Sequence, residues 1–454
     1  MKKFDVKHAV QVMGAKCRQA RGCFTSVCTD SRMIKEGDCF FAIKGERFDG
    51  HDFVEAVLEK GAACAVVEEN CKGDIQDDRL LRVADTVAAL GKLAAEYRRI
   101  LDCKVVAVTG SVGKTTTRQI IYEALSRFCR TGQSPKNFNN HIGLPLAILG
   151  SEESKGVLVL ELGTSNPGEI RYLTNIAQPN IAVVTNVYPA HLEGLGSIER
   201  IAEEKLSIAD GLNKDGTLII NGDIELLMRA CLEGGREFIS FGIKDGCDVT
   251  AKNIEHIEGG SRFEIDGRRI EISLYGRGNI ENCLAAWAVC RQMGILLKDF
   301  AEVLRTLKPA AMRGEILRVG KAIILNDCYN ANPASMRNAL EVLERLGCNG
   351  ARKVFICGDM FELGKDSQQL HAELGRQAAE SGVDLLITVG KFSRYTGEAA
   401  GGSDAGIEIK NFADSKSACD SLQNLVRNTD IILVKGSRAS RLEAVVDSLK
   451  ELLA

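Results

Sequence analysis

Short apolar runs alternate along this chain with segments whose apolar residues recur at helical spacing. Gly37 to Ile43 and Ala62 to Val67 predict strands, with a helix from His51 to Lys60 between them. Thr86 to Ile100 sets Val87, Leu90, Leu93, Ala94 and Tyr97 on one face, the pattern of an amphipathic helix. Lys104 to Val108 predicts a strand that runs into a glycine-rich segment. Behind that segment Thr116 to Phe128 predicts a helix with Ile120, Ile121, Ala124, Leu125 and Phe128 as its inner stripe. Buried strands follow at Val157 to Leu160, Ile181 to Val184 and Thr217 to Ile220. Arg262 to Leu274 reads as a hairpin turning at Asp266-Gly267, and Asn279 to Met293 as a helix. Beyond Pro309, strands at Ala322 to Leu325, Lys353 to Ile356, Leu385 to Val389 and Ile431 to Val434 alternate with helical patterns.

Strand–helix alternation of this kind implies crossover units and parallel sheets, so the fold class is α/β. At about 150 residues per domain the length suggests three domains. The patterns divide them into a small mixed α/β unit over 1–102, a central unit with a mostly parallel sheet over 103–309, and a third α/β unit over 310–454.

Charge and composition narrow the function classes. The net charge is -3, from 58 basic and 61 acidic residues, and no Lys/Arg run is long enough for a nucleic-acid stripe. Met1 to Met13 carries charge through every apolar stretch, so no signal peptide is expected. No segment reaches about 18 uninterrupted apolar residues, so no membrane span is expected either. The 16 cysteines lack CxxC spacing and read as small apolar fillers in a reducing compartment. A cytoplasmic location is the expectation.

The chemistry begins at Gly110-Ser-Val-Gly-Lys-Thr-Thr116, between a predicted strand and a predicted helix. A phosphate cradle needs converging backbone N–H groups, glycine where a Cβ would block the anion, a lysine, a hydroxyl for Mg²⁺ and a helix N-terminus. Gly110, Gly113, Lys114 and Thr115 supply these. The strict pattern places glycine at position 108, where this chain has Val108, so the loop is a GxxGKTT variant. Ligands of open α/β sheets lie at the carboxyl ends of strands. Glu161 stands at one such end and could meet a cation beside the loop, since Mg²⁺ takes one or two carboxylates plus phosphate oxygens and water. His191 lies beyond Ile181 to Val184, where a histidine either serves a metal or simply sits in a loop. Lys205, in a predicted helix from Ile198 to Ala209 beside Glu203 and Glu204, reads by itself as a solvated helix lysine. Asp327 ends a strand and opens Asp-Cys-Tyr-Asn-Ala-Asn-Pro333, a turn with several polar side chains.

Taken in order, these segments resemble the Mur ligases of peptidoglycan synthesis. The likeness is carried by Thr109 to Thr116, Asn137-Phe-Asn-Asn-His-Ile-Gly-Leu-Pro145, Glu161, Ala190-His-Leu-Glu-Gly194, Lys205, Gly278-Asn-Ile-Glu-Asn282 and Met312-Arg-Gly-Glu315. Asp327 to Met336, Gly358-Asp-Met-Phe-Glu-Leu-Gly364 and Lys435-Gly-Ser-Arg438 resemble the members that add D-alanyl-D-alanine to UDP-MurNAc-tripeptide. Members that add the third residue are expected to carry Asp-Asn-Pro-Arg, which is absent here. Folate polyglutamate ligases use a similar loop, but Asn137 to Pro145 and Tyr329 to Pro333 argue against them. A nucleotide switch would want an Asn-Lys-x-Asp motif, also absent.

The resemblance implies a central P-loop ATPase domain, a Rossmann-like third domain that binds the incoming dipeptide, and a first domain that binds the nucleotide-sugar peptide. It implies that Gly110, Ser111, Val112, Gly113, Lys114, Thr115 and Thr116 hold ATP, with Asn279, Asn282, Arg313 and Asp327 also on the nucleotide. Thr115, Glu161, His191 and a carbamylated Lys205 would hold Mg²⁺ at two sites, and Lys114, Glu161, His191 and Lys205 would form the catalytic set. Ser31, Arg32, Lys44, His51, Asn139, Asn140, Tyr329, Asn330 and Asn332 are the expected substrate contacts. A monomer acting on small molecules is expected.

Overall fold

The computed structural model describes residues 1–71, 77–135, 137–152, 156–346, 350–403 and 406–454. Its architecture is α/β, built on three principal sheets. The first carries four parallel strands in the order Val27–Cys28, Cys39–Phe41, Cys64–Glu68 and Leu80–Val83. The second has seven strands, all parallel, in the order Val249–Thr250, Ile239–Gly242, Thr217–Asn221, Ile181–Val184, Lys104–Thr109, Val157–Glu161 and Thr131–Gln133. A three-stranded antiparallel sheet, Lys252–Ile257, Gly260–Ile265 and Arg268–Ile272, lies beside it. The third principal sheet has six strands. Glu315–Val319 runs antiparallel to Ala322–Asn326, and Ile431–Lys435, Lys353–Gly358, Leu385–Val389 and Glu408–Phe412 follow in parallel.

The second sheet fixes where a ligand can sit. From Lys104–Thr109 the chain runs to the edge strand Thr131–Gln133 and back to Val157–Glu161. It then crosses to the other side at Ile181–Val184. Strand order therefore reverses at Lys104–Thr109, and the carboxyl end of that strand opens a crevice between its two neighbours. The glycine loop leaves from that end.

Both faces of the third sheet are covered, one by Pro333–Leu346 and Ser367–Glu380 and the other by Ser415–Ser421 and Glu443–Leu453. The first and second sheets are less separate. Helix Thr86–Ile100 is capped by Asp85, which accepts from Val87 and Ala88 N–H, and buries Ala89, Leu90, Leu93, Ala94 and Tyr97. Those residues share one apolar core with Leu144 and Ile148 of Gly143–Leu149 and with Ile170 and Leu173 of Glu169–Ala177. The core thus crosses residue 102. On the other face of the second sheet lies Arg277–Gln292, a helix buried nearly all round. It holds the single tryptophan, Trp287, 4% exposed and tilted against Phe300 at 5.3 Å.

Local differences from the sequence reading have physical causes. The helix expected from Thr116 starts at Lys114, because Gly113 takes φ 85 and turns the chain directly into it. It ends at Ser126, so Phe128 falls beyond it and is 51% exposed instead of lining the inner stripe. Val87, in the first turn of its helix, is only half-buried. Strands such as Thr131–Gln133, Val249–Thr250 and Glu408–Phe412 escape pattern reading because they are short or lie at sheet edges, where alternation is weak. The hairpin forms as expected, with Asp266 at φ 49 and Gly267 at φ 72 making its turn.

Candidate active site

The glycine loop owes its shape to two strand-end side chains. Thr185 Oγ1 donates to Val112 O at 2.6 Å, Asn186 Nδ2 donates to the same carbonyl, and Val112 N–H donates to Asn186 Oδ1 at 2.8 Å. Ser111 donates its backbone N–H to Asn186 O and its hydroxyl to Tyr188 O. Glycine is required at two points. A Cβ at Gly110, φ 147, would run into Thr185 Oγ1, and one at Gly113, φ 85, into Asn282 Oδ1. Lys114 opens the helix and returns its ammonium to Gly110 O at 2.7 Å. Loss of water lowers its pKa, against the attraction of Glu161 and with the repulsion of Arg313.

Glu161 ends its strand 3% exposed, yet its oxygens are well supplied. Thr115 Oγ1 donates to Oε2 at 2.8 Å, Asn139 Nδ2 donates to Oε1 at 2.9 Å, and Arg118 Nε lies 3.8 Å from Oε2. These donors satisfy a buried carboxylate that would otherwise be costly to hold out of water. Asn282 accepts from Thr117 Oγ1 and donates to Asn279 Oδ1, tying the buried helix to the loop helix.

Lys205 is 1% exposed, which corrects the solvated-lysine reading. Ile201, Ala202 and Lys205 share the inner face of Ile198–Leu206. The acidic neighbour on the chain does not neutralise it. Glu204 turns its carboxylate to the N-terminus of Glu169–Ala177, accepting from Gly168 and Ile170 N–H at 2.7 Å each. Lys205 Nζ meets no hydrogen-bond or ion-pair partner among the described residues. Burial first, and then Lys114, push its pKa well below the usual lysine range, with Glu204 opposing.

The third unit closes the crevice. Asp327 accepts from buried Lys435 Nζ at 2.5 Å, and the same ammonium donates to Asn330 O at 3.0 Å. Arg313 stacks its guanidinium over the Tyr329 ring, 4.1 Å from the centroid. Asn332 reaches across to Ser111 O at 3.5 Å, and His191 Nδ1 bonds the Glu362 carboxylate. The result is a cavity of about 480 Å³. It is lined by Ser111 to Thr116, Asn139, Asn140, Glu161, His191, Asn279, Asn282, Arg313, Asp327, Tyr329, Asn330 and Asn332. Lys205 is not among its lining residues.

Ser31, Arg32, Lys44 and His51 lie apart, in segments that follow the carboxyl ends of the first sheet's strands. Arg32 pairs with Asp30 at 2.7 Å, holding that carboxyl at about 2. His51 bonds Asp49 through Nδ1 and accepts Glu68 N–H at Nε2. A second cavity of about 410 Å³ runs toward the first unit. It shares Asn140, His141, Gly163 and Glu169 with the first and adds Asp85, Val87 and Ala88 from the start of Thr86–Ile100.

Sequence reasoning did not single out Thr185, Asn186, Arg118, Lys435 or Glu362 as working residues. Thr185 and Asn186 carried one signal, polar residues directly after a buried strand, and Glu362 and Lys435 lay inside motifs that carry the resemblance without a role of their own. Arg118 is defined only by partners distant in sequence, Glu161 and Ser134.

Three family descriptions match the chain in order: the Mur ligase family catalytic domain over 24–98, the Mur ligase middle domain over 108–290, and the Mur ligase glutamate ligase domain over 312–438. The UDP-N-acetylmuramoyl-tripeptide--D-alanyl-D-alanine ligase of Bacillus subtilis (strain 168) is 36% identical over 428 residues, 94% of this chain and 93% of that one. MurF from Acinetobacter baumannii superposes with a TM-score of 0.91 at 32% identity over 99% of each chain. The MurF ligase of Thermotoga maritima in complex with ADP gives 0.84 at 31%, covering 94% of this chain and 97% of that one. With three family domains matched in order and likeness to a relative over nearly its full length, the chain belongs to the Mur ligase family.

Proposed function

We propose that this enzyme joins D-alanyl-D-alanine to UDP-N-acetylmuramoyl-tripeptide at the expense of ATP, giving the pentapeptide precursor. The observation that carries the reading is the cavity where the glycine loop and Glu161 face Arg313, Asp327 and Tyr329 of the third unit. It is joined to full-length likeness with D-alanyl-D-alanine-adding ligases.

A carboxylate is a poor electrophile toward an amine at neutral pH. Transfer of the γ-phosphoryl of ATP to the tripeptide's terminal carboxylate gives an acyl phosphate, whose phosphate leaves readily. The dipeptide's amine then attacks the acyl carbon, and the tetrahedral intermediate collapses to amide and phosphate. In this reading Gly110 to Thr116 cradle the nucleotide phosphates, and Lys114 leaves Gly110 O to meet the β/γ-phosphates. Asn279, Asn282, Arg313 and Asp327 hold the rest of the nucleotide. The acceptor reaches the phosphates through the second cavity, passing Asn139 and Asn140, with its sugar nucleotide near Ser31, Arg32, Lys44 and His51. Tyr329, Asn330 and Asn332 face the incoming dipeptide. Exclusion of water by the third unit protects the acyl phosphate.

The donor chemistry around Glu161 fits Mg²⁺, a hard cation that takes a carboxylate and a hydroxyl and fills its remaining positions with phosphate oxygens and water. Thr115 and Glu161 would hold one ion, and His191 with a carbamylated Lys205 a second. Mg²⁺ supplies charge neutralisation on the transferring phosphoryl group when bound. Lys205, buried with no hydrogen-bond partner among the described residues and with its pKa pushed well down by burial, suits addition to CO₂ with loss of a proton. The carbamate would then be a second acid at this position.

We read the enzyme as a monomer acting on small molecules. Every cysteine among the described residues is free, which fits the reducing cytoplasm. The test is phosphate release by the purified protein alongside mass detection of the product. Release and amide formation should need ATP, the tripeptide and D-alanyl-D-alanine together. Release that ignores the dipeptide would overturn the reading.

A further inference from the structure

We propose that Glu362 is a positioning residue through which docking of the third unit fixes the ring of His191. The proposal rests on the ligase reading of the cavity that His191 lines. Three contacts form a clasp between the loop after Ala190 and the loop around Glu362. His191 Nδ1 bonds the Glu362 carboxylate. The backbone N–H of Glu193 donates to Glu362 O at 3.1 Å. Gly364 lies so close to this loop that a Cβ on it would stand 3.4 Å from Glu193 Cα. Both members of the side-chain pair sit in left-handed backbone, His191 at φ 57 and Glu362 at φ 62. Residues other than glycine take up that conformation where their surroundings impose it.

Packing does not explain the pair, since the Glu362 side chain is 50% exposed. Among the described residues of its own unit, His191 Nδ1 meets only Ser165 Oγ, at a long 3.4 Å. The imidazole therefore has one weak tether from the second unit and a strong one from the third. With Nδ1–H donated to Glu362, Nε2 keeps its lone pair, the form in which imidazole accepts a proton or ligates a cation. A third unit that has not docked leaves the ring free to turn. Docking selects both its orientation and its tautomer, so the reacting site is complete only when water is already excluded.

The test compares full-length wild type with Glu362→Ala and Glu362→Gln, the latter keeping an amide oxygen that can accept from Nδ1–H. Glu362→Ala should lower kcat by about 10–100-fold, the usual cost of losing a histidine's outer partner, with little change in KM for ATP. Glu362→Gln should recover most of that loss. Long-range ¹H–¹⁵N spectra of the imidazoles, taken with a non-hydrolysable ATP analogue and the tripeptide bound, give a readout separate from turnover. His191 should be the Nδ1–H tautomer in wild type and Glu362→Gln, and a mixture in Glu362→Ala. Wild-type turnover or a wild-type His191 spectrum in Glu362→Ala would overturn the proposal, as would equal impairment of the two variants. A wild-type enzyme that forms no dipeptide adduct would instead sink the ligase reading, leaving the spectra to judge the clasp.

Discussion

At the scale of single residues, the two lysines near the cavity illustrate opposite kinds of legibility. Lys114 is announced by its neighbours, since glycines, hydroxyls and a following helix mark it as a candidate for phosphate binding from the sequence alone. Its side chain lines a cavity and adds little packing. Lys114→Ala should therefore abolish ligation while shifting the melting temperature by no more than a few degrees, the range of a change of about 0.5 kcal/mol. Retained phosphate release would refute the assignment. Lys205 is illegible by the same means, because Glu203 and Glu204 make its stretch look like a wet helix face. Its burial depends on Glu204 spending its carboxylate on another helix's N–H groups, a long-range fact.

In buffer free of CO₂, Lys205→Met should stabilise the protein by about 1–3 kcal/mol at neutral pH while abolishing turnover, because it removes a buried amine that has no partner among the described residues. The sign follows from linkage. The folded pKa lies below the unfolded value of about 10.4, so between the two the unfolded chain binds a proton that the folded chain does not. Wild-type stability should thus rise toward pH 10 relative to the variant. Urea midpoints that stay parallel across that range would count against an uncharged Lys205.

Among elements, the loop between Lys104–Thr109 and Lys114–Ser126 is the most readable, and its scaffold the least. Strand, glycines and helix stand contiguous in the chain, so pattern and chemistry coincide there. What holds the loop comes from Thr185 and Asn186, some 70 residues on, where only a strand end is visible in the sequence. Gly113→Ala tests the element as a whole. The left-handed turn alone costs an alanine about 1–2 kcal/mol, and the new methyl meets Asn282 besides. Nucleotide binding should disappear in calorimetric titration even where the fold survives. Undiminished affinity for ADP would mean that the loop does not take its φ 85 turn around the phosphates.

On the scale of the whole molecule, helix and strand periods divide the chain into three parts, but they do not say which apolar faces meet. Leu90, Leu93, Ala94 and Tyr97 are equally consistent with an inner face of the first unit or a joint with the second. The structure spends them on the joint. The third sheet, by contrast, has cores on both faces drawn almost wholly from its own unit. A fragment of residues 310–454 should accordingly fold alone, with dispersed amide spectra and a cooperative melt. One of residues 1–102 should not, since it would expose that helix face to water. Cooperative melting of the shorter piece would show that the shared core is dispensable.

The placement of Trp287 gives this enzyme an optical property. A lone indole in a dry setting emits at short wavelength, and here it belongs to the middle of the chain, on a helix whose first turns bring Asn279 and Asn282 to the cavity. Swinging the last 145 or so residues about their joint should leave that fluorescence unmoved, whereas loosening of the ATPase core should shift it red. Emission colour therefore separates hinge motion from melting without any label.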